Sequence, residues 1–306
     1  MIAEHIAVTH HIWSWQGFPV RYQRAGEQGS PLLLIHGFGA SSDHWRHNLA
    51  VLGQNHRVFA IDLLGFGGSA KPTPADPSHP QGIPYTFETW AAQVIDFCHH
   101  IIGEPTYLAG NSIGGIVALQ AAVTDPDGVV GVALLNPSLR LLHERKRAEL
   151  AWHRRLSTPI IQTLLTWKPL GHWFFRQLAQ PKVIRQILEQ AYGDPQTVTD
   201  ELVQLLLKPA QEEGAADVFL AFIRYSQGPL LEDLLPRLSC PALLLWGSED
   251  PWEPIEEGRQ IAQFSSVKSF IELPGVGHCP QDEAPTLVNR YLREWLTVEL
   301  SGTRKS

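Results

Sequence analysis

The run Gly110-Asn111-Ser112-Ile113-Gly114, with Gly115 following directly, sets one hydroxyl among glycines in the stretch TYLAGNSIGGIVALQAA. An apolar segment precedes the serine and a helical pattern follows it. That context turns a G-x-S-x-G match into a nucleophile elbow, in which a tight strand-to-helix turn exposes the hydroxyl at the carboxyl end of a sheet. The turn forces the serine into a strained backbone conformation, so its neighbours must be small. The helix that follows directs its positive N-terminal end at the site, which favours a developing anion. A serine hydroxyl is a poor nucleophile until a base takes its proton. Among the 14 histidines, His278 in ELPGVGHCPQDEAP follows the last strand pattern and precedes the last helix pattern. Its loop therefore reaches the same end of the sheet as Ser112. The histidine needs a carboxylate to fix its tautomer and stabilise its imidazolium. Asp250 in WGSEDPWEP holds that position after another strand. The adjacent Glu249 points the other way in a regular turn, and Asn136, after the VALLN strand, cannot carry the charge. The order Ser, Asp, His along the chain is the one that accompanies an elbow of this kind.

Acyl transfer also requires amide hydrogens aimed at the tetrahedral oxygen, each worth about 3 kcal/mol of transition-state stabilisation. The N–H of Ile113, next to the serine, is one candidate. HGFGASSDHW follows the strand LLLI and offers the N–H of Phe38 as the second, with Gly37 and Gly39 permitting close approach. His36 reads as a support for this loop, and Asp62, in AIDLLGFGGS, as the holder of a turn through nearby backbone donors.

These residues must be positioned by elements that the pattern predicts. Near-continuous apolar runs at residues 31–37, 56–65, 105–112, 129–138, 241–250 and 267–275 suit strands buried on both faces. Helical patterns occupy residues 42–53, 87–102, 113–124, 253–264 and 285–298. The alternation predicts an α/β fold with a mostly parallel eight-stranded sheet, right-handed crossovers and flanking helices. HIWSWQGFPVRYQRAG reads instead as an antiparallel hairpin at the sheet edge, and the proline-rich residues 70–84 as an exposed connection. Strand patterns cease between residues 139 and 235, where helical segments rich in Leu, Trp and Phe predict a cap over one end of the sheet. The core is then residues 1–138 and 236–306. In the cap, Trp152, Trp167, Trp173 and Phe174 are candidates for lining an apolar substrate cavity, with packing between cap and sheet as the alternative for each.

The 306 residues are 44% hydrophobic and 18% charged, enough for one large domain with an insertion. A net charge of −7 argues against nucleic acid as a partner. The basic run RLLHERKRAELAWHRR reads as a solvated helix face, with contact to anionic groups as the alternative. Cys98, Cys240 and Cys279 are widely spaced, so neither a disulfide framework nor a metal site is expected. No signal peptide or membrane-spanning run is read from the sequence. The expectation is a cytoplasmic protein, or one peripheral on an internal membrane face, that uses no cofactor.

The motifs HGFGASSDHW, DLLGFGGS, GNSIGG, WGSEDPW and GHCPQDEAP, in this order, resemble those of the α/β-hydrolase superfamily over essentially the whole chain. Within it, YTFETWAAQVIDFCHHIIGEPTYLAGNSIGGIVALQAA and GVGHCPQDEAP are similar to the pheophytinase and chlorophyll dephytylase group of plastids and cyanobacteria. The resemblance implies Ser112 as nucleophile, His278 as base, Asp250 as acid, and Phe38 and Ile113 as the oxyanion hole. It implies hydrolysis of an ester with an apolar part, such as the phytol ester of chlorophyll-type pigments. Peripheral membrane association through the cap is the matching expectation for so lipophilic a substrate. The group has leucine or a similar residue where Ile113 stands, which matters little because the backbone N–H acts. Relatives that attack with an aspartate at the elbow, the haloalkane dehalogenases and epoxide hydrolases, do not fit. Two other readings stay open: a carbon–carbon bond hydrolase of ring-fission products, which shares the elbow, and a ligand receptor of the same fold with little turnover.

Overall fold

The computed structural model describes residues 6–76, 78–140, 143–146 and 167–303, with side chains as far as residue 297. The apolar runs form one eight-stranded sheet. Its strands are β1 (Thr9–Trp15), β2 (Phe18–Ala25), β3 (Pro31–Ile35), β4 (Arg57–Ile61), β5 (Thr106–Asn111), β6 (Val129–Leu135), β7 (Ala242–Gly247) and β8 (Val267–Leu273). They lie in the order β1-β2-β4-β3-β5-β6-β7-β8. β1 and β2 form the expected antiparallel hairpin, joined by Gln16 and Gly17 at φ 50° and 84°. Positive φ at both turn residues suits the right-handed twist of paired strands. β2 is antiparallel to β4, and the remaining neighbours are parallel.

β3, β6 and β7 are apolar throughout because both faces of the sheet are covered. Leu33 and Ile35 of β3 face a core shared with α1 (Phe87–Phe97) and α2 (Ile113–Thr124), which contribute Trp90, Phe97, Ile116 and Val117. Leu32 and Leu34 face the opposite core, with Trp45, Leu49, Leu292 and Trp295. The period of two along one strand thus feeds two separate layers. In the region between β6 and β7 lie α3 (Lys168–Leu178), α4 (Pro181–Ala191), α5 (Asp200–Ala210) and α6 (Ala215–Arg224), with no strand among the described residues. α7 (Ile255–Ile261) and α8 (Pro285–Thr303) complete the core. Phe222 of α6 fastens this helical region to the sheet end, stacking on Phe38 at 4.7 Å and meeting Phe87 edge-on at 5.9 Å.

Some segments depart from the helical pattern for local reasons. Residues 42–53 form a 3-10 turn, Ser42–Trp45, and a separate single turn, Leu49–Leu52. Each turn is fixed by its own tertiary bond: Ser42 N–H donates to Asp62 Oδ1 at 2.6 Å, and Asn48 Nδ2 to Asn289 Oδ1 at 2.9 Å. α1 passes into a wider π turn, Cys98–Ile102, ended by Gly103 at φ 80°. The connection at residues 70–84 folds back on itself, with Ala75 N–H bonded to Ile83 O and Ile83 N–H to Thr73 O. No disulfide joins cysteines among the described residues, and no helix among the described residues is long and apolar enough to cross a membrane.

Candidate active site

Ser112 stands between the end of β5 and the start of α2 with φ 56° and ψ −123°, a backbone state that a non-glycine residue reaches only under strain. The surrounding glycines have steric causes. A Cβ on Gly110 would lie 2.2 Å from Gly114 O, and one on Gly114 would lie 2.5 Å from Ile35 O. The turn can therefore close only with hydrogen at both positions. Ser112 N–H donates to Leu135 O at 3.1 Å, which ties the elbow to β6.

His278 Nδ1 lies 2.7 Å from Asp250 Oδ2, and both residues are buried. Asp250 is fixed on every side. Its Oδ2 also accepts from Asn136 Nδ2 at 2.7 Å, and its Oδ1 accepts from the N–H groups of Trp252 and Glu253 at 2.9 and 3.1 Å. Glu249 is exposed, and its Oε1 accepts from the Ser248 hydroxyl. The His278 carbonyl accepts from Asn111 Nδ2 at 2.9 Å, which anchors the histidine to the residue preceding Ser112. Ser112 Oγ makes no hydrogen bond to the His278 ring among the described residues; contacts between nucleophile and base commonly tighten only in the substrate complex. The Trp252 ring meets the imidazole edge-on at 4.8 Å.

The loop after β3 lies directly against the serine: a Cβ on Gly37 would stand 3.1 Å from Ser112 Cβ. This places the Phe38 backbone beside the N-terminus of α2, where the Ile113 N–H lies at the positive end of the helix. His36 supports the loop, with Nδ1 2.7 Å from Gly37 O and Nε2 accepting the Leu63 N–H at 3.0 Å. Burial holds its pKa below the usual histidine value. Asp62 accepts from the N–H groups of Ser42 and Gly68, so it serves the turn.

A buried polar relay, invisible in the sequence, joins the site to the helical region. Gln281 Nε2 reaches Asn111 Oδ1 at 3.1 Å and His44 Nδ1 at 3.4 Å. His44 Nε2 lies 3.1 Å from the Tyr192 hydroxyl, which donates to Asp282 Oδ2 at 2.7 Å. One neutral tautomer satisfies this order: His44 Nδ1 accepts and its Nε2–H donates. Burial pushes the His44 pKa down to about 4, which keeps it neutral. Beside the relay, the His278 N–H donates to Ala191 O at 2.8 Å, so the end of α4 clamps the histidine loop. Glu253 is a second buried carboxyl, pushed up to about 7 by burial, and it accepts the Leu139 N–H at 2.9 Å.

A cavity of about 60 Å³ adjoins the Phe38 loop, lined by Phe38, Phe66, Lys71, Phe175 and Phe219 among others. Of the cap aromatics singled out in the sequence, Trp167 is 66% and Trp173 53% exposed, Phe174 is half-buried, and Trp152 lies outside the described residues. Sequence reasoning missed Phe175 and Phe219, which do line the cavity. It also passed over the polar roles of Asn111, Gln281, Tyr192 and Glu253; the signal available was their closeness to the elbow, to His278 and to Asp250.

Comparison with known proteins agrees with this architecture. The model of the alpha/beta hydrolase family matches residues 32–291. The chain is 30% identical to the chloroplastic pheophytinase of Arabidopsis thaliana, across 98% of this chain and 68% of that protein. It is 25% identical to 2-hydroxy-6-oxo-6-(2'-aminophenyl)hexa-2,4-dienoic acid hydrolase of Metapseudomonas resinovorans, across 87% and 84%. Among solved structures, a thermophilic esterase from Thermogutta terrifontis superposes with a TM-score of 0.72 at 22% identity, covering 95% of this chain and 99% of that one; at that identity the likeness concerns the fold. Sheet order, elbow and family match agree, and the chain belongs to the alpha/beta hydrolase family.

Proposed function

We propose that the protein is a serine hydrolase of carboxylic esters that carry an apolar alcohol or acyl part. The observation that carries this reading is the strained Ser112 set beside a buried Asp250–His278 pair at 2.7 Å. His278 Nε2 removes the Ser112 proton as Oγ attacks the ester carbonyl. The N–H groups of Phe38 and Ile113 hold the oxyanion. Nδ1–H of His278 faces Asp250, which stabilises the imidazolium. The imidazolium then protonates the departing alcohol, and water, deprotonated by the same histidine, releases the acid. This chemistry asks for no metal or organic cofactor.

The phenylalanines around the Phe38 loop favour an apolar substrate, and the pheophytinase relative supports a pigment phytol ester as the specific one. The dienoic acid hydrolase relative raises carbon–carbon bond cleavage as a second reading. Such a substrate brings a carboxylate, and the cation lining the described cavity, Lys71, is already bonded to Gly67 O, Ser69 O and Glu212. Ester hydrolysis is therefore preferred. The test is an assay of purified protein on p-nitrophenyl esters of increasing chain length, on chlorophyll and pheophytin, and on a ring-fission dienoate. Ester turnover that rises with chain length and vanishes in Ser112→Ala supports the proposal. Turnover of the dienoate alone, or none at all, contradicts it.

A further inference from the structure

Charge is distributed very unevenly along this chain. Residues 140–192 hold ten lysines and arginines against three glutamates, while the remaining sequence holds fourteen against twenty-eight acidic residues. A segment of net charge +7 is thus set in a protein of net charge −7. Some of its cations are engaged: Arg145 pairs with Asp233, Lys146 with Glu232, and Arg185 with Asp200. Arg176 and Lys182 are exposed and meet no carboxylate among the described residues, while Lys168 lines a cavity with Tyr85 and Asp217.

The same surface carries apolar groups with no cover among the described residues. Trp167 and Trp173 are 66% and 53% exposed, and Ile187 of α4 is 39% exposed. Along α3 the exposed residues Pro169, Trp173, Arg176 and Gln177 recur at helical spacing, forming one outward stripe. The inner side of that helix sends Phe175 to Phe219, with ring centroids 5.0 Å apart, and into the cavity beside Phe38. A single helix therefore presents an indole and a guanidinium to the outside and a phenyl ring to the cavity.

Indoles among cations fit one kind of surface well. Tryptophan settles where an apolar layer meets polar headgroups, and lysine and arginine are drawn to anionic lipid. A surface without an apolar layer beneath its charges would reward the cations and leave the indoles in water. We propose that the exposed residues Trp167, Trp173, Arg176 and Lys182, along α3 and at the start of α4, dock on a bilayer containing anionic phospholipid. Binding of this kind needs no turnover, so it stands or falls separately from the hydrolase reading.

The experiment is flotation of the full-length protein with vesicles of pure phosphatidylcholine or of equal parts phosphatidylcholine and phosphatidylglycerol. The expected result is binding about tenfold or more tighter to the anionic vesicles, since each engaged cation contributes about fivefold. Salt at about 0.5 M, which shortens the screening length to a few Å, should remove most of that preference. Arg176→Glu/Lys182→Glu should weaken binding about twentyfold or more on the same scale. Trp167→Ala/Trp173→Ala should weaken it about tenfold, with melting curves confirming that both variants are folded. The salt series on the unaltered protein gives a second reading that needs no variant. Equal binding to both vesicles, wild-type binding by either variant, or retention by heparin or RNA without vesicle binding would overturn the proposal.

Discussion

Asn136→Asp tests the geometry around Asp250 with a change of almost no volume. Asn136 sits at φ 40°, a state that Asn and Asp both tolerate, and its Oδ1 accepts the Gly247 N–H at 3.0 Å, which Asp can keep. Only the donor to Asp250 Oδ2, 2.7 Å away, is exchanged for an acceptor. With each charge spread over both oxygens, the two carboxylates sit about 4 Å apart and repel by about 4 kcal/mol at an effective dielectric constant near 20. That corresponds to about 3 pKa units, so the pair retains one proton into the neutral range and titrates as a unit. The folded pKa of that proton then lies above the unfolded value. The variant's stability relative to wild type is preserved at low pH and lost as pH rises through the folded pKa. The assay is urea unfolding of both proteins from pH 5 to pH 9. The expected difference in unfolding free energy is about 1.5 kcal/mol at pH 5 and grows to about 4 kcal/mol at pH 9, within the limit set by the Coulomb term. A difference that does not change with pH would refute the close contact from which the effect is reckoned.

Glu253, raised to about 7 by burial, holds its proton more tightly when folded, so its favourable contribution fades as pH rises from about 5 to about 8. Glu253→Gln should lessen that decline by about 3 kcal/mol, read from unfolding curves at the two ends of the range. Tyr192→Phe removes a donor to Asp282 and an acceptor for His44, both buried; a loss of about 3 kcal/mol in urea unfolding is expected, and an unchanged midpoint would remove the relay from the account. Gly110→Ala drives a methyl group to 2.2 Å from Gly114 O, so it should lose about 4 kcal/mol or more, or yield no folded protein, as followed by circular dichroism.

The parts of the fold that were legible in the sequence were those where one local rule decides. β3, β6 and β7 are unbroken apolar runs because both faces of the sheet are covered, and the glycines and strand before residue 113 fix helix 113–124 to the residue. The apolar pattern predicts one helix over residues 42–53; it does not record that Asp62 and Asn289 claim the polar groups between them. The placement of Ser112, Asp250 and His278 at one end of the sheet follows from strand ends alone. From the sequence Asn136 reads only as an uncharged residue in an acid's position, yet its amide helps hold Asp250. The Gln281–His44–Tyr192 relay spans residues far apart in the chain, and no periodicity marks it. Trp173 and Phe175 lie two apart on one helix, so composition could suggest an aromatic cavity wall without telling which ring faces inward.

The central claim is that the Ser112 hydroxyl attacks with His278 as its base. Mass spectrometry after brief exposure to a fluorophosphonate tests it most directly. The account predicts a single adduct on the peptide containing Ser112, absent from Ser112→Ala and formed far more slowly in His278→Ala. An adduct on another residue, or equal labelling rates with and without the imidazole, would contradict it.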